Sequence, residues 1–126
     1  MQFSTDIIFY TGFALLLAHE LDATQRHEWR IFPLLSSLRE DLAYHIFVIL
    51  HVPLFVLLLW LITHLSANVR YWSKVILDLF FMVHGGLHYL LKSNRKNEFI
   101  SLFSNIIITL MALFGFLHIA LLSITD

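Results

Sequence analysis

Residues 42–69 read LAYHIFVILHVPLFVLLLWLITHLSANV, and these 28 positions contain no Asp, Glu, Lys or Arg. A helix needs about 20 predominantly apolar residues to cross about 30 Å of hydrocarbon, so this run is long enough to span a bilayer. Of the 126 residues, 59% are hydrophobic and 13% are charged, against about 25% charged residues in ordinary soluble domains. A chain this short cannot hide so much apolar side chain in a soluble core. The composition therefore predicts an integral membrane protein.

Three further apolar runs complete the predicted fold. Residues 99–125 are free of charge, residues 75–91 contain one acid, Asp78, and residues 7–19 form a shorter run. Residues 1–18 lack Lys and Arg, so the first run is expected to remain as a helix rather than to be removed as a signal peptide. The sequence predicts one all-α domain over 1–126, a membrane four-helix bundle with helices at about 4–23, 43–65, 71–91 and 99–122.

The basic residues predict how the bundle is oriented. Six of the eight basic residues lie in the first and third connections: Arg26, Arg30, Arg39, Lys92, Arg95 and Lys96. The other two, Arg70 and Lys74, lie at the second connection. Because basic loops stay in the cytoplasm, this distribution predicts that both termini lie outside and that the first and third connections are cytoplasmic. Residues 24–41 are amphipathic, so we expect an interfacial segment between helices one and two, with Trp29 and Arg30 as interfacial anchors.

Histidine is the unusual residue of this chain, with eight occurrences. Under the predicted topology, side chains from several helices reach one depth near the cytoplasmic end, and the candidate metal ligands are His19, Asp22, His45, His51, His84 and His88. Two acids at the same end, Glu20 and Glu28, are the candidate catalytic acid/base groups. Both His64 and His118 fall in the outer half and are left out. Asp78 lies deeper and is expected either to pair with a histidine or to reach the headgroup zone.

Helical spacing supports a metal site. Residues four apart lie one turn above each other, so His84 and His88 can bind one ion together. On helix one, His19 shares a face with Asp22, whereas Glu20 lies on another face, and the spacing does not decide which face points inward. Imidazole and carboxylate ligands suit Zn, Fe or Mn. The chain has no Cys, which excludes thiolate ligands and disulfides, and its net charge of −1 gives no case for nucleic acid.

Each of these residues also has a structural interpretation. Histidines at a membrane boundary can bond to headgroups or carbonyls, and Glu20 and Asp22 can form the solvated end of helix one. The glycines between His84 and His88 can allow a close helix contact. A charged group within hydrocarbon nevertheless costs a few kcal/mol, which favours a functional role for at least part of the group.

Two stretches resemble known families. The sequence His19-Glu20-Leu21-Asp22-Ala23, followed by His27-Glu28-Trp29-Arg30, resembles small uncharacterised bacterial four-helix membrane proteins, loosely of the HXXEE type. This resemblance implies a four-helix membrane fold and implies no activity. For the location we expect a multi-pass protein of the cell inner membrane. The sequence His84-Gly85-Gly86-Leu87-His88 is similar to the H-x-x-x-H box of membrane fatty-acid hydroxylases and desaturases, which use non-haem iron. Their two H-x-x-H-H boxes are absent here.

Three functions remain open at this point. The favoured one is a His/carboxylate metal site near the cytoplasmic end, which acts on a lipid-soluble substrate if the protein is an enzyme. The second is a haem b anchor, similar in size to small cytochrome b anchors, with haem between histidines of helices two and three. The third is a non-catalytic accessory or assembly subunit that docks on a larger membrane complex. Membrane lipids, a lipid-soluble substrate and a homo-oligomer or larger complex are the expected partners.

Overall fold

The structure is a computed structural model that describes the backbone of residues 2–125 and the side chains of residues 4–124. It contains four long helices: α1 (Gln2–Gln25), α2 (Glu40–Ile62), α3 (Ala67–Leu90) and α4 (Leu102–Thr125). Short 3₁₀ turns lie at Glu28–Arg30, Leu35–Ser37 and Leu91–Ser93. The described residues include no strand, which confirms the all-α prediction and its four helices.

All four helices are long and apolar enough to cross a membrane. The candidate spans are Ser4–Gln25, Glu40–Ile62, Ala67–Ser93 and Leu102–Ile124. Large apolar side chains face outward along them; Ile49 and Val56 of α2, for example, are 62% and 63% exposed. Extended apolar surface of this kind is rare on soluble monomers and is the normal lipid-facing surface of a membrane protein.

The helix ends differ from the hydropathy prediction by a few residues. α2 begins at Glu40 rather than 43, because Glu40 and Asp41 are favourable at a helix N-terminus even though they are charged. α4 begins at Leu102 rather than 99, because the Ser101 hydroxyl accepts the Ser104 N–H at 3.0 Å in the manner of an N-cap. Hydropathy detects where a helix can cross hydrocarbon, whereas the ends of the helix depend on which residues are favourable at its termini.

Two close helix contacts hold α3 against α4. At Gly115 an added Cβ would lie 2.8 Å from the backbone oxygen of Asp78, and at Gly85 it would lie 2.9 Å from the Cβ of Ala112. These glycines permit the backbones to approach, as small residues do in membrane helix pairs. α1 packs along α4, and α2 makes its helix contact mainly with α3.

An apolar layer fills the middle of the bundle. Phe9, Phe13, Phe81 and Met111 are its central buried side chains. A second cluster, around Ala23, Trp29 and Phe99, lies toward the end of the bundle that carries the first and third connections. The candidate histidines lie at this same end.

The connection between α1 and α2 folds back onto the bundle rather than forming a continuous interfacial helix. His27 adopts a left-handed conformation with φ 52°, and the turn Glu28–Arg30 follows. Trp29 is only 3% exposed, and its indole N–H donates to Glu40 at 3.0 Å. The expectation that Trp29 is an interfacial anchor is therefore wrong, since its ring packs with Ala43 and Phe47 inside the protein.

Candidate metal centre

Two helices and one turn bring four ligand-type side chains together. His19 lies near the C-terminal end of α1, and His84 and His88 lie one turn apart at the C-terminal end of α3. Glu28 comes from the 3₁₀ turn that follows the left-handed residue His27. One ligand atom from each of the four side chains falls within 4.8 Å of the other three. We call His19, Glu28, His84 and His88 the ligand group.

The three imidazoles meet through the same ring nitrogen. The Nε2 atom of His84 lies 2.9 Å from Nε2 of His19 and 3.2 Å from Nε2 of His88. The carboxylate of Glu28 lies 3.4 Å from Nε2 of His88. An imidazole nitrogen carries either one in-plane lone pair or one N–H, so Nε2 of His84 can pair well with only one neighbour. Hydrogen bonds alone therefore do not account for this arrangement, whereas a cation can accept all three lone pairs.

Two members of the ligand group are buried, and the two histidines of α3 are partly buried. His19 is 1% exposed and Glu28 is 5% exposed, and the ring of Phe99 packs against both His19 and His88. Buried polar groups normally find partners. Two atoms beside the group, Nδ1 of His19 and Oδ2 of Asp22, are buried without a hydrogen-bond partner among the described residues. They lie three residues apart on the same face of α1, where metal-bound histidines commonly have a carboxylate behind them.

Electrostatics keep Glu28 in the form that binds cations. Burial by itself raises the pKa of this carboxyl group, but the hydrogen bond with His88 and the nearby imidazoles of His19 and His84 outweigh it and lower the pKa below the ordinary value. The lowered pKa favours the carboxylate form of Glu28, whose oxygens can bind a cation. An anionic oxygen beside three imidazole nitrogens is a complete donor set for a divalent transition metal.

A polar network anchors the turn that carries Glu28. The His27 ring nitrogen Nδ1 lies 2.8 Å from one oxygen of Glu98, and the Arg30 guanidinium donates to the other. Arg30 also donates to Glu40 at the start of α2. These bonds tie the first connection to the third, so the position of Glu28 depends on residues far apart in sequence.

The other predicted ligands lie outside the ligand group. Asp22 pairs with Arg26 at 3.3 Å, and His45 is exposed and bonds the backbone oxygen of Asp41 at 2.7 Å. His51 faces α1 but meets Glu20 at 2.8 Å instead of the other histidines. The orientation of α1 about its axis explains why His51 meets Glu20 rather than His19. These two successive residues lie about 100° apart on α1, so that His19 points into the bundle and Glu20 points toward α2.

Glu28 and Asp78 have roles that the spacing did not assign. Glu28, expected as a free acid/base group, lies within the ligand group. The left-handed conformation of His27 directs the following turn back toward the ends of α1 and α3. Asp78 forms a fully buried pair with His118 at 2.5 Å. A pairing of Asp78 with a histidine is one of the two sequence expectations; the partner, His118, is not among the predicted ligands.

Residues 5–125 match the family model described as a family of unknown function, DUF6713. The chain belongs to this family. No curated protein matches the chain, and no solved structure matches it. The DUF6713 match covers nearly the whole chain and confirms the expectation of an uncharacterised family; the likeness to the HXXEE type stays a prediction.

Proposed function

We propose that this DUF6713 protein binds one divalent transition metal ion within the membrane, through His19, His84, His88 and Glu28. The observation that carries the proposal is the meeting of three Nε2 atoms and a buried carboxylate from separate elements. In a tetrahedral shell with metal–nitrogen bonds of about 2.0–2.1 Å, ligand nitrogens are roughly 3.3 Å apart. The observed separations of 2.9 and 3.2 Å are close to that value.

The donor set limits the choice of metal. Three imidazoles and a carboxylate favour Zn, Fe or Mn over Ca or Mg, which prefer oxygen ligands throughout. The distribution of basic residues supports placing the site near the cytoplasmic face of the inner membrane, with both termini outside. If the protein is an enzyme, a metal at this depth suits a substrate dissolved in the inner leaflet.

Haem b is the weaker candidate. A haem between α2 and α3 requires a flat gap between imidazoles of those helices. Instead, His51 of α2 is bonded to Glu20, and His84 of α3 is in contact with two other imidazoles. The accessory-subunit hypothesis has no comparable observation in its favour.

Elemental analysis of the purified protein in detergent tests the proposal. We expect about one transition-metal ion per chain in the wild type and less than about a tenth of an ion in the double variant His84→Ala/His88→Ala. His45→Ala is the matched control, because it removes an exposed imidazole at the same end of the bundle and should leave the metal content unchanged.

Two outcomes would overturn the metal site. One is a metal content below about a tenth of an ion in the wild type, even after incubation with Zn²⁺, Fe²⁺ and Mn²⁺. The other is equal loss of metal in His45→Ala and in the double variant. Circular dichroism and gel filtration of each variant show whether a loss of metal results from unfolding. A Soret band in the purified protein would support haem binding instead.

A further inference from the structure

A cleft between α1 and α2 opens on the side of the bundle. Its volume is about 240 Å³. The lining is apolar except for one acid, one imidazole and one hydroxyl, and its residues are Leu17, Glu20, Leu21, Thr24, Val48, His51, Val52 and Phe55. We call this space the lateral cleft.

The packing of the helices explains why the lateral cleft stays open. α1 packs closely along α4, and α2 packs against α3 and the first connection, so the backbones of α1 and α2 come close to each other at few points. The rims of the cleft are apolar and face outward, with Leu21 77% and Val52 56% exposed. In a bilayer this opening faces hydrocarbon, so its natural occupant is an apolar chain rather than water.

The polar pair inside the lateral cleft holds a proton. Nδ1 of His51 lies 2.7 Å from the backbone oxygen of Phe47, and because a carbonyl only accepts, this nitrogen carries a hydrogen. The other ring nitrogen, Nε2, lies 2.8 Å from Oε2 of Glu20. That contact also needs a hydrogen, so the pair is either imidazolium–carboxylate or imidazole–carboxylic acid. Either form can exchange hydrogen bonds with a hydroxyl group.

The pair lies beside the ligand group. Glu20 directly follows His19 in α1, so the pair includes the immediate chain neighbour of one member of the ligand group. The side chains of Glu20 and His51 are 15% and 19% exposed, so a molecule in the cleft can reach them. An apolar chain in the lateral cleft would therefore place a polar end at the Glu20–His51 pair, one residue along α1 from His19.

We propose that the lateral cleft binds a single-chain membrane lipid with a hydroxyl headgroup, with the chain between α1 and α2 and the hydroxyl on the Glu20–His51 pair. As a substrate site this inference rests on the proposed function, because it identifies the substrate class of the metal centre. As a binding site it depends only on the cleft and the pair, so the two can fail separately.

Photo-crosslinking with a diazirine-bearing long-chain fatty alcohol, mapped by peptide mass spectrometry, tests the site. We expect labelling to concentrate on peptides of α1 and α2 that line the lateral cleft. Val52→Trp fills the cleft and should abolish this labelling. Val56→Trp is the matched control, since it adds the same ring one turn along α2 at a residue that is 63% exposed and outside the lining.

The role of the pair is tested with a second probe, the methyl ether of the same alcohol. In the wild type the alcohol should bind about tenfold more tightly than the ether, as expected for the loss of one hydrogen bond to a charged partner. In Glu20→Leu and His51→Phe this preference should disappear while labelling of the cleft remains. An unchanged preference in both variants would overturn the assignment of the hydroxyl to the pair.

Two results would overturn the cleft itself: labelling spread evenly over all lipid-facing peptides, or equal labelling of Val52→Trp and Val56→Trp. The same experiment on chelator-treated protein separates the inferences. Labelling that persists without metal supports the cleft even if elemental analysis rejects the metal site. Stoichiometric metal without cleft labelling leaves the metal centre in place and rejects this substrate class.

Discussion

Gly115 offers the sharpest test of how α3 and α4 hold the bundle together. In Gly115→Ala the new Cβ would lie 2.8 Å from the backbone oxygen of Asp78 and 3.2 Å from the Cβ of Phe81. Real Cβ atoms do not approach a neighbour as closely as 2.8 Å, and the oxygen belongs to a helix backbone that cannot move alone. The two helices must therefore separate by several tenths of an ångström.

The magnitude follows from two opposing effects. Overpacking a tight contact costs about 1–3 kcal/mol, whereas replacing Gly by Ala inside a helix gains about 0.5–1 kcal/mol. We expect Gly115→Ala to lower the free energy of unfolding by about 1–2 kcal/mol. Gly86→Ala is the matched control, because it also lies inside a helix and its Cβ would meet nothing within 4 Å. It should stabilise by about 0.5–1 kcal/mol.

Reversible unfolding in mixed micelles, with increasing denaturing detergent, measures both variants against the wild type. The two substitutions are chemically identical, so opposite signs isolate the helix contact from helix propensity. Equal effects of Gly115→Ala and Gly86→Ala would refute the reasoning. So would a stabilised Gly115→Ala, because α3 and α4 then would not approach as closely as the structure places them.

Three further predictions concern buried and titratable groups. His118→Phe should destabilise by about 3–5 kcal/mol because Asp78 loses its buried partner, and Asp78→Leu/His118→Phe should recover much of that loss in the same unfolding assay. For Glu98, burial raises the pKa but the bond to His27 and the charge of Arg30 outweigh it, so the folded pKa lies below the ordinary Glu value of about 4.3. The ionised carboxylate therefore stabilises the fold above that pH, and this contribution disappears as pH falls through the lowered pKa. The stability gap between wild type and Glu98→Gln, followed by unfolding across pH, should be present at about pH 5 and vanish in stronger acid. A gap that grows on acidification below about pH 5 would contradict this sign. Zn²⁺ at about a hundredfold over its Kd should stabilise the wild type by about 2.7 kcal/mol and His88→Ala by much less, and equal shifts in thermal unfolding would contradict the ligand assignment.

The four helices were predictable because each hydrocarbon-length apolar run is a local property of the sequence. Residues 42–69 need no tertiary contact to be recognised as a span. The i, i+4 pair His84 and His88 was predictable for the same reason, since helix geometry fixes the relation of residues four apart. The convergence of His19 with this pair needed only the alternation of helix directions, which brings the ends of α1 and α3 to one side.

Rotation and loop geometry were decided by the tertiary structure alone. The side chains of residues 19 and 20 are equally suited to bind a metal, and the sequence does not indicate which of them points into the bundle. The packing of α1 against α4 and α3 turns His19 into the bundle and Glu20 toward α2. Glu28 joins the ligand group because one left-handed residue and a network from the third connection fold its turn under the helices. Apolar runs fix depth in a membrane, whereas the angle of each helix about its own axis depends on contacts between residues far apart in the chain.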